Sequence, residues 1–255
     1  MQGNGNKGTK KMYLCRNFSV NTLRMKIIGH EVNPGEIARF FLKSLHRISF
    51  WRNWRIRKYL QSTREPKLQI GCGPNHLEGW LNSGISLQEC RTGVYLDAGR
   101  RFPFPDCTFD FVFSEHLFEH LTYPQATNML KECHRVLKPG GVMRVATPDL
   151  RFLLGLYQEP EKSLHKRYIE YSAERGNIPP TAVFVINRFH TAWGHQIVYD
   201  KETLSDLLEQ NGFKDIRSCE VSQSEHPALK GVEGHFKALP AEYNQLETMV
   251  LEASK

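Results

Sequence analysis

Residues 66 to 85 read PKLQIGCGPNHLEGWLNSGI, a short apolar strand that runs directly into a turn containing Gly71 and Gly73. Glycine has no Cβ atom, so such a turn bends sharply and lets backbone N–H groups approach a bound nucleotide-like molecule. A dinucleotide fingerprint would place a third glycine at position 76, which is His76. The stretch therefore predicts a ligand site at the end of a parallel strand and argues against NAD.

Three further motifs follow this turn in a fixed order. They are YLDA at residues 95–98, FPFPD at 102–106 leading into FDFVFSEH at 109–116, and LKPGG at 137–141 before an apolar run. Together with the glycine turn they resemble the class I S-adenosylmethionine-dependent methyltransferases, in the branch often called the type 11 methyltransferase domain. The resemblance covers about residues 66 to 150.

The resemblance implies a fold, a cofactor and a set of contacts. The fold would be Rossmann-like α/β, with a seven-stranded, mostly parallel sheet, helices on both faces and a C-terminal antiparallel hairpin. S-adenosyl-L-methionine would lie over the glycine turn, with Asp97 accepting from the adenine amino group, the Ala98 N–H donating to the ring, and Ser114 and Glu115 lining the methionine end. The implied cofactor-binding residues are Ile70, Gly71, Cys72, Gly73, Asp97, Ala98, Ser114 and Glu115.

One position departs from the family pattern. Relatives carry an acidic residue near the end of the second strand, where its carboxylate accepts from the ribose hydroxyls, whereas this chain has Gly84 there. Glu89, a few residues further on, is a substitute if the loop folds back. Gly84 keeps open a non-catalytic member of the fold that acts as a binding or scaffold protein.

Charge is distributed unevenly along the 255 residues. Residues 1 to 67 hold 15 Lys and Arg against 3 Asp and Glu, a net charge of +12, whereas the remainder holds 19 against 24, a net charge of −5. A mildly acidic domain disfavours a nucleic-acid groove, so no nucleic-acid partner is expected. The absence of a long apolar run and of a signal-peptide core predicts a cytoplasmic protein.

The basic extension, residues 1–61, is expected to contain an amphipathic helix from Asn33 to about Leu60. Asn33, Pro34 and Glu36 form a helix start, and apolar residues from Ile37 to Trp51 recur at helical spacing. We favour a helix that braces the domain. The alternatives are a membrane-surface helix, with peripheral contact through residues 33–60, and a contact with a polyanionic substrate.

Residues 151 to 199 exceed a simple strand-to-helix connection and are rich in aromatic residues, so they are interpreted as a substrate-covering insertion in a methyltransferase domain at 62–255. Asn187 to His195 is interpreted as a loop before the next helix, and loops commonly carry substrate contacts. His195 follows Gly194, which permits a sharp turn toward a cleft, and it is our candidate general base. His190 is the reserve candidate.

No metal site is predicted. His116 and His120 are four residues apart, but the pattern lacks the spacing and the third ligand of a zinc enzyme. The six cysteines form no Cys-x-x-Cys pair, so reduced thiols are expected, and Cys72 is interpreted as a packing residue.

These observations predict methyl transfer to a small-molecule, sugar or glycolipid-precursor acceptor, with O-methylation as the expected chemistry. Aromatic rings stack on sugar faces and basic residues bind phosphate, which favours carbohydrate acceptors over others. The oligomeric state is not predicted.

Overall fold

A computed structural model of the chain describes residues 25–27, 30–32, 50–86, 90, 92–235 and 239–255. The chain divides into two compact units, residues 1–42 and 43–255. In the first unit, strands β1 (Met25–Ile27) and β2 (His30–Val32) pair antiparallel. The sequence analysis did not anticipate this hairpin.

The predicted N-terminal helix is found in part. Helix α1 spans Phe50–Ser62, while residues 33–49 lie outside the described residues. The helix belongs to the larger unit, and its second half packs on the rest of that unit. Ile56 is buried, and Arg55 donates to the carbonyls of Cys90 (2.6 Å) and Gly93 (2.7 Å). These contacts agree with a brace, whereas Phe50 and Trp51 at the start of α1 are exposed.

The larger unit is built on a seven-stranded sheet. Its strands are β3 (Lys67–Ile70), β4 (Leu81–Gly84), β5 (Val94–Tyr95), β6 (Phe109–Glu115), β7 (Leu137–Pro148), β8 (Lys214–Cys219) and β9 (Thr248–Ser254). The order across the sheet is β5-β4-β3-β6-β7-β9-β8. The pairs from β5 to β7 are parallel, and β9 lies antiparallel to both β7 and β8. The predicted Rossmann-like sheet with its antiparallel C-terminal hairpin is therefore confirmed.

The strand order reverses between β3 and β6. The chain winds outward from β3 to β4 and β5, then crosses back to β6 on the other side of β3. In open α/β sheets, the carboxyl ends of the strands at this reversal form a crevice that binds ligands. The glycine turn after β3 and the Glu115–His116 step at the end of β6 lie at that point.

Six helices after α1 have their bounds within the described residues. They are α2 (Tyr123–Val136), α3 (Leu150–Gln158), α4 (Ser163–Gly176), α5 (Ala182–Thr191), α6 (Lys201–Gln210) and α7 (Ala241–Glu247), with 3-10 turns at Phe118–His120 and Pro227–Leu229. Local chemistry sets several ends: the Asp200 carboxylate accepts from the Thr203 N–H (2.8 Å) and caps α6. None of the described helices is long and apolar enough to cross a bilayer.

Two sequence expectations require correction. Strand β7 begins at Leu137, before the PGG turn, because Leu137 already pairs with Phe109; the register then shifts at the turn, where Gly140 has a φ of 75°, before Val142 pairs with Phe111. Residues 187–191 were interpreted as loop, but they form the last part of α5, whose Phe189 is buried against Phe152. The expected loop is therefore limited to the residues after Thr191.

The insertion has its own apolar core. Helices α3, α4 and α5 pack around a buried cluster separate from the one beneath β3, β6 and α2, and Tyr243 of α7 completes it. The Asp149–Tyr199 bridge joins the two ends of the insertion just after β7.

Candidate active site

The glycine turn has the backbone conformation that its sequence predicts. Gly71 and Gly73 have φ angles of 67° and 50°, and the Cys72 N–H donates to the Ser83 carbonyl (2.9 Å), which ties the turn to β4. A Cβ atom at Gly71 would lie 2.9 Å from the Leu117 side chain, whereas one at Gly73 would meet no atom within 4 Å. The space over Gly73 is therefore open to a ligand.

The residues around the turn are packed. Ile70 and Cys72 are buried, and the Cys72 Sγ lies 3.7 Å from His76 Nε2. His76, at the position where a dinucleotide fingerprint has glycine, also pairs with the Thr92 hydroxyl (2.7 Å).

Asp97 and Ala98 follow β5 on the same edge of the sheet. Asp97 Oδ1 accepts from the Gly99 N–H (3.0 Å), and Oδ2 pairs with Arg100 (3.1 Å), so the carboxylate shapes its own turn while remaining about a third exposed. Ala98 is buried. At the neighbouring strand end, Gly84 offers no carboxylate, and Glu89 lies outside the described residues.

Ser114 and Glu115 end β6 beside the glycine turn. Ser114 is in register with Ile70 and Val145, and its buried Oγ has no hydrogen-bond partner among the described residues. Glu115 instead accepts from the N–H groups of Gly234 (2.9 Å) and His235 (2.9 Å). Residues 232–235, which we call the strap, therefore cross over the end of β6.

The strap is anchored by a charge network that the sequence analysis missed. Arg144 of β7 is fully buried and binds Glu233 (2.5 Å) and Glu252 of β9 (2.5 Å), and it also donates to the Gln223 carbonyl (2.8 Å). The only signal in the sequence is one arginine inside the apolar run VMRVA. This network fixes the position of His235.

A cavity of about 440 Å³ opens beside these residues, between the carboxyl ends of β6 and β7 and the insertion. Its lining residues are His116, Glu119, His120, Pro148, Tyr168, Tyr171, Ser172, Arg175, Arg188, Phe189, Trp193, His195, His235, Leu239 and Glu247. Four histidines and two buried glutamates thus share one concave site with aromatic and cationic side chains.

His116 and Glu119 form a buried pair in this cavity. His116 has a φ of 45°, and its Nδ1 lies 3.1 Å from Glu119 Oε1, while Glu119 Oε2 accepts from the Thr147 hydroxyl (3.0 Å). Burial alone would lower the pKa of His116, but the hydrogen bond and charge of Glu119, with the charges of Glu247 and Glu115, raise it above its usual value. Burial would likewise raise the pKa of Glu119, yet His116 holds it below its usual value. The pair is therefore ionic.

A second set of groups lies against the first. The rings of His116 and His235 stack with their centroids 3.9 Å apart, and His235 Nε2 lies 3.2 Å from Glu247 Oε1. The Tyr168 hydroxyl donates to the other oxygen of Glu247, and burial together with that carboxylate raises the pKa of Tyr168 well above its usual value. Polar groups from α4, α7 and the strap thus meet on one side of the cavity.

The segment after α5 brings His195 beside Glu119 and His120. Trp193 and Gly194 have φ angles of 58° and 80°, and the Glu119 carbonyl accepts from the N–H groups of Gln196 (2.7 Å) and Ile197 (3.2 Å). The His195 ring meets that of His120 edge to face, with centroids 4.8 Å apart. Burial lowers the pKa of His195, so the imidazole is neutral at neutral pH.

The two predicted catalytic histidines are therefore placed differently. His195 lines the cavity, whereas His190 is exposed on α5 and is not among the lining residues. Sequence reasoning did not assign Glu119, His235, Glu247 or Tyr168 to the site, because their patterns resemble ordinary helix and loop composition.

The strand order, the glycine turn at the point of reversal and the open space over Gly73 agree with the class I S-adenosylmethionine-dependent methyltransferase domain that the sequence resembles. Residues 68–145 match the family model described as a methyltransferase domain, which spans the sheet from β3 to β7. S-adenosylmethionine is the cofactor of this class. It supplies a methyl group on a sulfonium, which is a strong electrophile.

The chain is similar to several solved structures of low sequence identity. A SAM-dependent methyltransferase from Archaeoglobus fulgidus is 18% identical, with a TM-score of 0.45 over 85% of this chain and 94% of that one. A possible histamine N-methyltransferase from Thermotoga maritima is 19% identical, with a TM-score of 0.42 over 87% and 95%. A putative methyltransferase of Haloferax volcanii, in complex with the Trm112 activator, is 12% identical, with a TM-score of 0.44 over 86% and 94%.

Proposed function

We propose that this methyltransferase transfers the methyl group to an oxygen of a small-molecule, sugar or glycolipid-precursor acceptor that binds in the 440 Å³ cavity. The observation that carries the proposal is a half-buried His195 that lines this cavity with a lowered pKa. A neutral imidazole accepts the proton that an acceptor hydroxyl loses as its oxygen is methylated.

The rim of the cavity supports the choice of acceptor. Arg188 stacks over the Trp193 ring at 4.8 Å and Arg175 over the Tyr171 ring at 5.4 Å. Exposed aromatic faces stack on sugar rings, and guanidinium groups bind phosphate or carboxylate oxygens. The combination suits a sugar that carries an acidic group.

Cofactor contacts come from the opposite side of the same crevice. In this proposal the backbone of Gly71, Cys72 and Gly73 holds the cofactor, and Asp97 and Ala98 bind its adenine. Ile70 supports the turn from below, and Ser114 and Glu115 line the methionine end. The buried, unpaired Ser114 Oγ fits that role, because such an atom is expected to find a partner in the loaded protein.

A second candidate function is a non-catalytic binding protein. Two observations favour it: Gly84 replaces the ribose-binding acid, and the Glu115 carboxylate already accepts from Gly234 and His235. In that case the strap would occupy the methionine end in place of a ligand.

Calorimetric titration with S-adenosylhomocysteine and with NAD separates these functions. The proposal expects saturable binding of S-adenosylhomocysteine and none of NAD. Release of S-adenosylhomocysteine in the presence of sugars and sugar phosphates then tests catalysis. Binding of S-adenosylhomocysteine without turnover on any hydroxyl-bearing acceptor would support the non-catalytic protein, and binding of NAD alone would refute both.

A further inference from the structure

We infer that Glu119, His120 and His195 form a binding site for one divalent transition-metal ion, such as Zn²⁺, in the wall of the acceptor cavity. The side chains offer two imidazole nitrogens and one carboxylate oxygen, all within 4.8 Å of one another. Two histidines with one carboxylate are a donor set that Zn²⁺ and Fe²⁺ prefer.

The three residues are brought together by the fold. Glu119 and His120 belong to the 3-10 turn after β6, whereas His195 lies 75 positions further along the chain. Backbone hydrogen bonds from Gln196 and Ile197 to the Glu119 carbonyl hold the His195 segment against that turn. The donors are therefore positioned by the backbone before any ion binds, which lowers the cost of assembling the site.

The donor atoms are in a suitable state. His195 Nδ1 is buried and has no hydrogen-bond partner among the described residues, and a buried polar atom without a partner points to a missing ligand.

Glu119 retains capacity for an ion although both its oxygens are occupied. A carboxylate offers about four lone-pair positions, and Glu119 uses two of them, toward His116 and Thr147. Hydrogen bonds of this kind orient the carboxylates that bind metals in proteins. Ligands of one Zn²⁺ ion lie about 3–4 Å apart, so small rotations of the two rings complete the site.

The neighbouring cluster is less suited to an ion. His116, His235 and Glu247 also lie within 4.8 Å of one another. However, His235 Nε2 contacts Glu247 Oε1, His116 Nε2 contacts the Thr248 hydroxyl, and the two rings are stacked. The polar groups of this cluster already have hydrogen-bond partners. A variant of this cluster therefore serves below as a control for metal binding at Glu119, His120 and His195.

Three protein ligands leave coordination positions open to the cavity, as in catalytic rather than structural sites. Binding of the ion does not depend on the proposed function. Only the group on which the ion would act, the acceptor hydroxyl, rests on it. In the metal-loaded protein, an acceptor hydroxyl bound to the ion would have a lowered pKa and would lose its proton to water while His195 holds the ion; His195 takes the proton in the metal-free protein.

The test is calorimetric titration of Zn²⁺ into the full-length, chelator-treated protein without S-adenosylmethionine. We expect one equivalent to bind, and we expect His120→Asn and His195→Asn each to weaken that binding by roughly tenfold or more. His190→Asn, the same substitution at an exposed histidine on α5, should leave binding unchanged, as should His235→Asn in the neighbouring cluster. Failure of wild-type protein to bind one equivalent overturns the inference, and so does loss of binding in His235→Asn alone.

A second measurement covers variants that fail to fold. Co²⁺ added to wild-type protein should give the visible absorption of a low-symmetry site with nitrogen and oxygen ligands, and one equivalent of Zn²⁺ should remove it. The spectrum of hexa-aqua Co²⁺ alone would contradict the site. Both measurements use the metal by itself, so their failure leaves the proposed methyl transfer intact, and failure of S-adenosylhomocysteine to bind leaves the metal site intact.

Discussion

The imidazole of His116 and the carboxylate of Glu119 form a buried ion pair, with Nδ1 and Oε1 3.1 Å apart, at the carboxyl end of the central strand β6. The pair joins the two halves of the cavity: His116 stacks on His235 of the strap, and Glu119 belongs to the turn that meets His195. Its ionisation is therefore expected to influence both stability and the geometry of the site.

The first prediction concerns pH. Folding raises the pKa of His116, so the native state binds more protons than the unfolded state above about pH 6.5, and stability falls as pH rises through the raised value. Folding lowers the pKa of Glu119, so that contribution is lost as pH falls below about 4.5 and through the lowered value. The pair should therefore stabilise the fold most between these limits.

Urea unfolding at about pH 5.5 and about pH 8, with a chelator present, measures the effect. The wild-type protein should lose more stability over this interval than His116→Asn, a substitution that the left-handed backbone at this position tolerates. Equal losses in the two proteins would show that His116 is not the responsible group.

The second prediction concerns the anchor of the strap. Arg144→Met should lower the free energy of unfolding by about 3–5 kcal/mol, because Glu233 and Glu252 would remain buried without their cation. Arg151→Met provides the matched control. Its ion pair with Glu202 is exposed, so a change of about 0–1 kcal/mol is expected. Similar effects of the two substitutions in chemical denaturation would contradict the proposed anchor.

The third prediction concerns adenine recognition. Asp97→Ala should weaken S-adenosylhomocysteine binding by about 1–3 kcal/mol, through loss of a charged hydrogen-bond acceptor. Asp97→Asn should lose less, because its amide oxygen still accepts from the Gly99 N–H and preserves the turn. Calorimetry measures both affinities. Wild-type affinity in a folded Asp97→Ala protein would remove this residue from the site.

The fourth prediction concerns the candidate base. His195→Ala should lower turnover by roughly 10²–10⁴-fold while S-adenosylhomocysteine affinity stays unchanged. His134→Ala removes a histidine that packs on Phe213 outside the cavity and serves as the control. Turnover that depends on His190 and not on His195 would instead support the reserve candidate from the sequence.

Much of the fold could be predicted from the sequence because its signals are local. The apolar run before Gly71 and the family motifs up to Gly141 specify parallel strands, and Asp200 marks the start of α6 by its capping chemistry. Such signals involve neighbouring residues, so they can be recognised in the amino-acid sequence alone. The mostly parallel sheet and the terminal hairpin followed from the resemblance that these motifs carry.

The active-site cavity was only partly predictable. His195 was placed near it by Gly194, but the end of α5 was misjudged because the burial of Phe189 against Phe152 favours a helix there over a loop. The proposed metal site was not predicted, since His116 and His120 alone lack a third ligand at any recognised spacing. The structure instead brings His195, 75 residues beyond His120, beside Glu119 and His120.

The sequence by itself determined the class of fold and the position of the cofactor turn, because strand periodicity and glycine conformation act over a few residues. Tertiary structure alone decided which titratable groups face one another. The ion pair between Arg144 and Glu233 holds the strap in place, so that His235 lies against His116. Backbone hydrogen bonds to the Glu119 carbonyl hold the next segment in place, so that His195 lies against His120. Each of these contacts joins segments that are distant in the sequence. The distance between them in space is set by the packing of whole helices and strands, and not by the conformational preference of neighbouring residues.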